Sequence, residues 1–570
     1  MSEDATRART GPAAPPVRRR HWLLAWLSAF GLFALFAHGN FETTDAGFTM
    51  YAARGLWLRG DSGLRTAEQG GDTLAEQLGA AELRLGRSGK IGTNELAYPW
   101  FPVGHVWLMV PFVAAGEWLE RAAPAAPAAF QERVMRAGPV GTTSLVQGTP
   151  LWTQGLVSLL VPPACAASLL LLLFVLARRL GADGRAALHA ALAIGLGTQA
   201  FAFGRETLSD GPGLVLLLAA TLVVVTVQRG AGTAAGAFVG GLAGGSAVLL
   251  RYQNAALLAA VGLVLVLAVW RQRRWPLLAT FALGVLPAAV LLLATNHARF
   301  GDPFDTGYPK AADWLDQPLW LGIAKQLFAA GRGVAWLSPL VWLALPLALR
   351  ARDGGPLRWL GWALFLFPLC FFGLARGWQG GQCWGARYVT HGLVLLLALT
   401  LPVAQPWRRW PRAWLVLLLL GLFANATAVV APVRGVIQLA DQAFRANGGS
   451  GDHADPVSWQ PRYTPLLANW RYARASWSGA FEDAEQRPQP GAPTAIERVF
   501  AAAPTDAAQA QPPLRWEDRG WRHLFVVMWG ELLGLPWWLL CLPFTALLAL
   551  GRRAVKALAT LPPSETSTPA

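Results

Sequence analysis

Cysteine is scarce in this 570-residue chain: Cys165, Cys370, Cys383 and Cys541 stand far apart, and no C-x-x-C or Cys/His pair has zinc spacing. Neither a disulfide framework nor a zinc finger is indicated. Charge is also sparse, with 14% Asp, Glu, Lys and Arg against 54% apolar residues. The surface of a soluble globule cannot cover that much apolar material, and apolar runs near 18 residues recur along the whole length, about what a bilayer crossing needs. The chain therefore reads as an all-α polytopic membrane protein. Acids are in deficit, 33 against 48 bases, for a net charge of +15. Much of the surplus sits in short clusters such as Arg178-Arg179, Arg271 to Arg274 and Arg552-Arg553. That is positive-inside topology, and no nucleic-acid partner is expected. No small-x-small cleavage pattern closes the apolar run His21 to Ala37 after Arg18 to Arg20, so it reads as an uncleaved first membrane helix with its N-terminus inside.

Placing each basic cluster inside gives alternating spans at His21–Ala37, Leu151–Ala177, Ala186–Phe203, Gly211–Val227, Thr233–Leu250, Asn254–Trp270, Pro276–Ala294, Val334–Leu349, Leu360–Leu374, Val389–Ala404, Trp414–Val430 and Leu524–Leu550. The run Val103 to Ala115, about 13 residues, is short for a span and reads as re-entrant or interfacial. The expectation is about 12 to 13 membrane helices with both termini inside. Residues 1–20 form a cytoplasmic tail and 21–430 a membrane core with outer loops at 40–102, 204–211, 295–333 and 375–388. Residues 431–522 form a non-cytoplasmic region with a Pro/Ala-rich linker at 487–513, 523–550 the last membrane helix and 551–570 a second cytoplasmic tail. Gly232, Gly236, Gly240 and Gly244 recur every fourth residue, a stripe that lets a neighbouring helix approach closely. The 28 tryptophans lie mostly near span ends, as an interfacial belt requires.

The outer loops hold the chemistry. Asp45 follows the first span; Arg205, Glu206 and Asp210 join two spans; and the loop from Arg376 to Tyr388 carries Trp378, Gln382, Arg387 and four glycines. Ionisable groups at a membrane boundary are costly without partners, so each is a functional candidate; the structural alternative for Glu206 is a pair with Arg205. Glycines between aromatic and amide residues suit a backbone that approaches a ligand, Arg387 offers a planar fork to phosphate, and Trp378 offers a face to a sugar ring. His105 and His297 are candidate ligands or bases, with hydrogen-bonded structural roles as the alternative.

The Asp soon after the first helix, the aromatic-Pro tract Tyr98 to Trp107, Leu176-Ala177-Arg178-Arg179-Leu180-Gly181 and Gly204-Arg205-Glu206-Thr207-Leu208-Ser209-Asp210 resemble the GT-C glycosyltransferases. Within that superfamily they resemble the lipid-carrier-dependent branch, which includes protein O-mannosyltransferases and the aminoarabinose transferases of lipid A. The resemblance covers about the first 300 residues, in short motifs. It implies a GT-C-like architecture and transfer of a sugar from a polyprenyl-phosphate donor to a lipid, glycan or protein acceptor on the non-cytoplasmic face of a bacterial inner membrane. It puts Asp45 at the first-loop catalytic position and Asp210 at a second acidic one. The family's adjacent acidic pair is here Asp45-Ala46, with Glu42 three residues earlier.

The candidate catalytic residues are thus Asp45, Asp210 and Glu206. The candidate substrate-binding residues are Glu42, Arg205, Tyr98, His105, His297, Trp378, Gln382, Arg387 and Tyr388. No cofactor is required by the sequence, a divalent cation is left open, and membrane lipids are the surrounding partners. The alternatives are a flippase of lipid-linked glycan or a non-catalytic glycan-assembly protein, although no internal repeat is visible and the ionisable groups gather at one face rather than along the spans.

Overall fold

A computed structural model describes residues 18–41, 43–86, 88–136, 150–310, 313–350, 355–381, 383–446, 458–478, 499–500 and 516–562. Glu42, Gln382, the 487–513 linker and the tail beyond 562 lie outside the described residues. The architecture is helical, with one two-stranded antiparallel sheet in the first outer region. Seven helices are long and apolar enough to cross a membrane, and two more are apolar but shorter. The first helix, α1 (Arg19–Leu35), is 17 residues long.

Residues 40–102, the expected outer loop, hold α2 (Thr44–Arg59), which takes in the helix-like tract Phe48 to Leu58 read from the sequence, α3 (Leu74–Arg84) and the hairpin β1 (Gly89–Ile91) and β2 (Ala97–Pro99). Arg59 ties this region together by pairing with Glu76 at 2.6 Å and Asp72 at 2.6 Å. The run expected as about 13 interfacial residues extends to 20 in α4 (Val103–Ala122). Val103, Val106, Met109, Val113 and Gly116 are buried on one side of α4, while Trp107 and Trp118, eleven residues apart on the opposite face, are exposed. Such a helix presents indoles to an interface, and α4 is not among the seven helices with spanning length and composition.

After α5 (Ala125–Arg136), the core comprises α6 (Leu151–Arg179), α7 (Gly184–Gly197), α8 (Asp210–Gln228), α9 (Ala234–Leu250), α10 (Asn254–Gln272) and α11 (Trp275–Phe300). The expected span 186–203 is only partly α-helical: α7 stops at Gly197 and a 3-10 turn, Gln199–Gly204, follows. Next come the short α12 (Leu319–Phe328) and α13 (Val334–Leu337), then α14 (Val341–Arg350), α15 (Gly355–Phe371), α16 (Arg387–Ala404), α17 (Pro406–Arg409) and α18 (Pro411–Val430). The expected span 334–349 is broken between α13 and α14 at Ser338 and Pro339, where proline cannot supply a helical N–H. Beyond the core, α19 (Val433–Ala446) and α20 (Pro465–Trp477) dock back on it, Asn469 Nδ2 donating to the Thr427 carbonyl at 2.8 Å. The last apolar stretch is two helices, α21 (Phe525–Leu533) and α22 (Trp537–Ala559). Gly534, in the left-handed region at φ +67, and Pro536 break it.

Only half of the glycine stripe packs on neighbouring helices: Gly240 and Gly244 meet Val223 of α8 and Leu258 of α10, whereas Gly232 precedes α9 and Gly236 meets only its own cap Thr233, and the closest approach is made by Gly241 and Gly245 on the α11 side. A Cβ on Gly241 would strike the Phe281 carbonyl of α11, and one on Gly284 would strike the Phe238 carbonyl of α9. Backbone therefore meets backbone, and dispersion replaces the hydrophobic drive that lipid cannot supply. The two ends of the bundle differ. At one, Arg229 donates to Leu180 O and Arg274 to Gly230 O, and Arg408 pairs with Asp183. At the other, the C-terminal ends of α1, α9, α11 and α18 meet the N-terminal ends of α2, α8, α10 and α16 through the contacts described next.

Gly241→Leu is expected to destabilise the protein by more than the roughly 1–3 kcal/mol typical of overpacking, because the obstacle is backbone. Gly262→Ala, on α10 with nothing near its would-be Cβ, is expected to be neutral or slightly stabilising. Thermal unfolding of the two variants in detergent compares them, and equal behaviour would refute the backbone contact.

Candidate functional site

Asp45 enters the site because Thr43 caps α2, its hydroxyl accepting the Ala46 N–H at 3.3 Å. The carboxylate lies in the first helical turn, where the helix dipole favours an anion. Its Oδ2 receives Arg387 Nη2 at 3.0 Å, with the Asp45 side chain 25% exposed and that of Arg387 7%. Arg387 opens α16, a position where the same dipole disfavours a cation, so it needs the anion opposite.

A second pair lies alongside. Asp210 is the first residue of α8, its side chain has no exposed surface, and it pairs with Arg251. Arg251 leads the short connection between α9 and α10. Both guanidiniums flank Tyr388, Arg387 at 5.2 Å and Arg251 at 5.5 Å from the ring centroid, and Phe372 stacks on that ring at 4.2 Å. Two ion pairs thus share one aromatic pivot. Beneath Asp210, His391 bridges its main-chain carbonyl at 2.9 Å and Asn254 Oδ1 at 3.0 Å.

His105, buried on α4, lies within electrostatic reach of Asp210 and Arg251, and burial pushes its pKa down to about 4, so the ring is neutral at pH 7. Three buried polar atoms here have no hydrogen-bond partner among the described residues: Arg387 Nε, Asp210 Oδ1 and His105 Nε2. Leaving a buried polar group unmade costs about 1–3 kcal/mol, so their gathering in one place points to a polar ligand.

The glycine-rich loop makes room for the arginine. Gly380 has φ +73, and a Cβ there would sit 2.7 Å from Arg387 Cγ. Glu206 holds the same loop, its Oε1 accepting the Trp384 N–H at 2.8 Å. Arg332, which sequence reasoning missed, donates to the Gln379 carbonyl at 3.2 Å and to that of Gly381. Cys383 is inert as a nucleophile, since burial pushes its thiol up to about 12.

Several expected site residues have other work. Arg205 Nε donates to Phe36 O at 2.7 Å and Nη1 to Ala428 O, tying the ends of α1 and α18. Trp378 is fully buried and offers no face to a sugar. His297 is exposed on the last turn of α11. Tyr98 is buried, accepts from Asn94 Nδ2 at 2.8 Å, and lies 5.0 Å under the guanidinium of Arg299, which itself donates to the Pro99 carbonyl. That cluster fastens the hairpin to α11. Arg251 had one signal in the sequence: an arginine on a short outer connection runs against the positive-inside rule. Among the described residues no group of three or more His, Cys, Asp or Glu side chains gathers as metal ligands.

No family model and no curated protein matches this chain. Solved structures do: the crystal structure of ArnT from Cupriavidus metallidurans bound to undecaprenyl phosphate is 14% identical with a TM-score of 0.38, covering 95% of this chain and 76% of that one. The apo state of the same protein is 15% identical with a TM-score of 0.36, covering 94% and 76%. At those TM-scores the functional reading rests on the residues themselves.

Glu206→Leu leaves the buried Trp384 N–H without its acceptor and is expected to cost roughly 1–3 kcal/mol. Glu206→Gln keeps an acceptor oxygen and is expected to lose less than about 1 kcal/mol. Thermal unfolding compares the two, and equal losses would assign the role to the charge instead of the hydrogen bond.

Proposed function

We propose that the chain is an inverting glycosyltransferase that moves a sugar from a polyprenyl-phosphate donor to an acceptor hydroxyl at the non-cytoplasmic face of the membrane. The observation that carries this reading is the pair of arginines, Arg387 and Arg251, set around Tyr388 with a partly open carboxylate beside one of them.

The chemistry needs two things. The attacking hydroxyl must lose its proton as its oxygen bonds to the anomeric carbon, and the departing phosphate must be stabilised as it takes the electron pair of the broken C–O bond. Asp45 is the open carboxylate and takes the proton. The phosphate leaves as an anion, so it requires positive charge and no general acid. Arg387 supplies it through a fork whose Nε has no partner among the described residues, and Arg251, largely buried, adds a second cation. The helices α8, α10 and α16 all begin here, and their N–H ends favour an anion. Asp210, fully buried against Arg251, positions that arginine instead of touching the acceptor. Tyr388 sets the spacing of the two cations.

This role division differs from a hydrolase with two carboxylates across an attacking water. The carboxylates that a divalent cation would use, Asp45 and Asp210, each hold a guanidinium. The undecaprenyl phosphate bound by the ArnT crystal structure is a lipid phosphate of the class proposed here. A bacterial cytoplasmic membrane is the setting this donor implies, with the acceptor a lipid, glycan or protein hydroxyl.

Asp45→Asn is expected to lower transfer by about 10²- to 10⁴-fold, the usual worth of a general base, with donor binding preserved. Arg251→Gln is expected to lower both donor affinity and turnover. Radiolabel transfer in membranes across a panel of polyprenyl-phosphate sugars measures both, and full activity of Asp45→Asn would end the proposal.

A further inference from the structure

Trp378 offers no open aromatic face, but Tyr308 does. It leaves 41% of its surface open. Protein nonetheless crowds its hydroxyl closely enough that burial raises the phenol's pKa, and the groups within electrostatic reach are Arg251, Tyr388, Asp45 and Arg387. The geometry agrees: the Tyr308 ring meets that of Tyr252, the residue after Arg251, at 5.9 Å, so the open ring stands beside the Asp210–Arg251 pair.

The ring is held from behind. Trp100 lies 5.7 Å away, tilted by 32°, and Tyr252 meets it edge-on at 5.9 Å and 80°. Tyr252 is in turn fixed through its hydroxyl to Asn296 Oδ1 at 3.1 Å. The preceding loop is also pinned: Asp305 accepts Lys90 Nζ at 2.5 Å and the Gly307 N–H at 2.8 Å, and Gly307, at φ +78, clears the Phe300 ring. Among the described residues the Tyr308 hydroxyl makes no hydrogen bond.

We propose that Tyr308, backed by Trp100 and Tyr252, is the platform for the sugar ring of the donor. The inference rests on the transferase reading and adds to it where the sugar lies. A sugar bonded to a phosphate at Arg387 and attacked by a hydroxyl at Asp45 must lie next to both, and Tyr308 is an open aromatic residue within electrostatic reach of both. Sugar rings carry a face of C–H bonds whose partly positive hydrogens pack on the negative face of a phenol. A fixed ring needs little ordering to receive one.

The test is binding without acceptor, so that no turnover is required. The full chain in nanodiscs is titrated with citronellyl phosphate and with its mannosyl, glucosyl and arabinosyl esters. Wild type is expected to bind at least one ester about 5- to 10-fold more tightly than the bare phosphate, the range an aromatic contact supplies. Tyr308→Leu is expected to erase that preference while binding the bare phosphate as before, and Tyr308→Phe to keep it. A wild type with no preference overturns the proposal, as does a preference that survives in Tyr308→Leu. Loss in Tyr308→Phe equal to that in Tyr308→Leu also overturns it, because the hydroxyl would then be the contact. Failure of the transferase reading looks different: wild type and Arg387→Gln would both ignore the bare phosphate.

Discussion

A guanidinium removed from water must find oxygen, and at one end of this bundle every part of the structure answers to that constraint. Arg205 takes the carbonyls of Phe36 and Ala428, Arg299 that of Pro99, and Arg332 those of Gln379 and Gly381. Arg251 and Arg387 take carboxylates. Desolvating a charge costs several kcal/mol unless it is compensated, so each arginine fixes the chain that supplies its acceptor. The ends of α1 and α18, the hairpin and the glycine-rich loop are held together in this way.

Partner type separates scaffold from chemistry. An arginine held by main-chain carbonyls has less to exchange with a substrate, because those acceptors move only with the backbone that carries them. An arginine held by a side-chain carboxylate can exchange that partner for a phosphate oxygen with a change of rotamer. Arg387 retains a further donor, Nε, without a partner among the described residues. The same division explains why Glu206, although acidic and buried, belongs to the scaffold: it accepts from the Trp384 N–H and shapes the loop that delivers Arg387.

Helix direction supplies the remaining electrostatics. Asp45 and Asp210 lie in first turns, where N–H groups favour anions. Arg387 begins α16 and is out of place by the same rule, which strengthens its demand for a negative partner. Close packing lower in the bundle keeps these ends in register, since α9 and α11 meet backbone to backbone through Gly241 and Gly284. A site built at the mouths of rigidly packed helices holds most of its charges on the helices themselves, and the pinned glycine-rich loop delivers Arg387 to them.

Composition and the placement of basic clusters were enough to read a helical membrane protein, and Asp45, Asp210 and Arg387 were visible as ionisable groups gathered at one face. Those are one-dimensional facts, because hydropathy acts on segments and the positive-inside bias acts on loops. Pairing is not one-dimensional. Asp45 and Arg387 are 342 positions apart, and Asp210 and Arg251 are 41 apart, so which arginine meets which acid depends on how α8, α9, α10 and α16 pack. Trp378 was the aromatic surface that the sequence suggested and Tyr308 was not singled out, and only burial tells the closed one from the open one. The breaks at Ser338-Pro339 and Gly534 to Pro536 were written in the sequence by proline and glycine, but apolar runs long enough for a span concealed them. The sequence by itself determined the solvent each segment must have; the tertiary structure decided which charges share a site, because the energy of a buried ion pair depends on distance and exposure, and neither is a property of chain order.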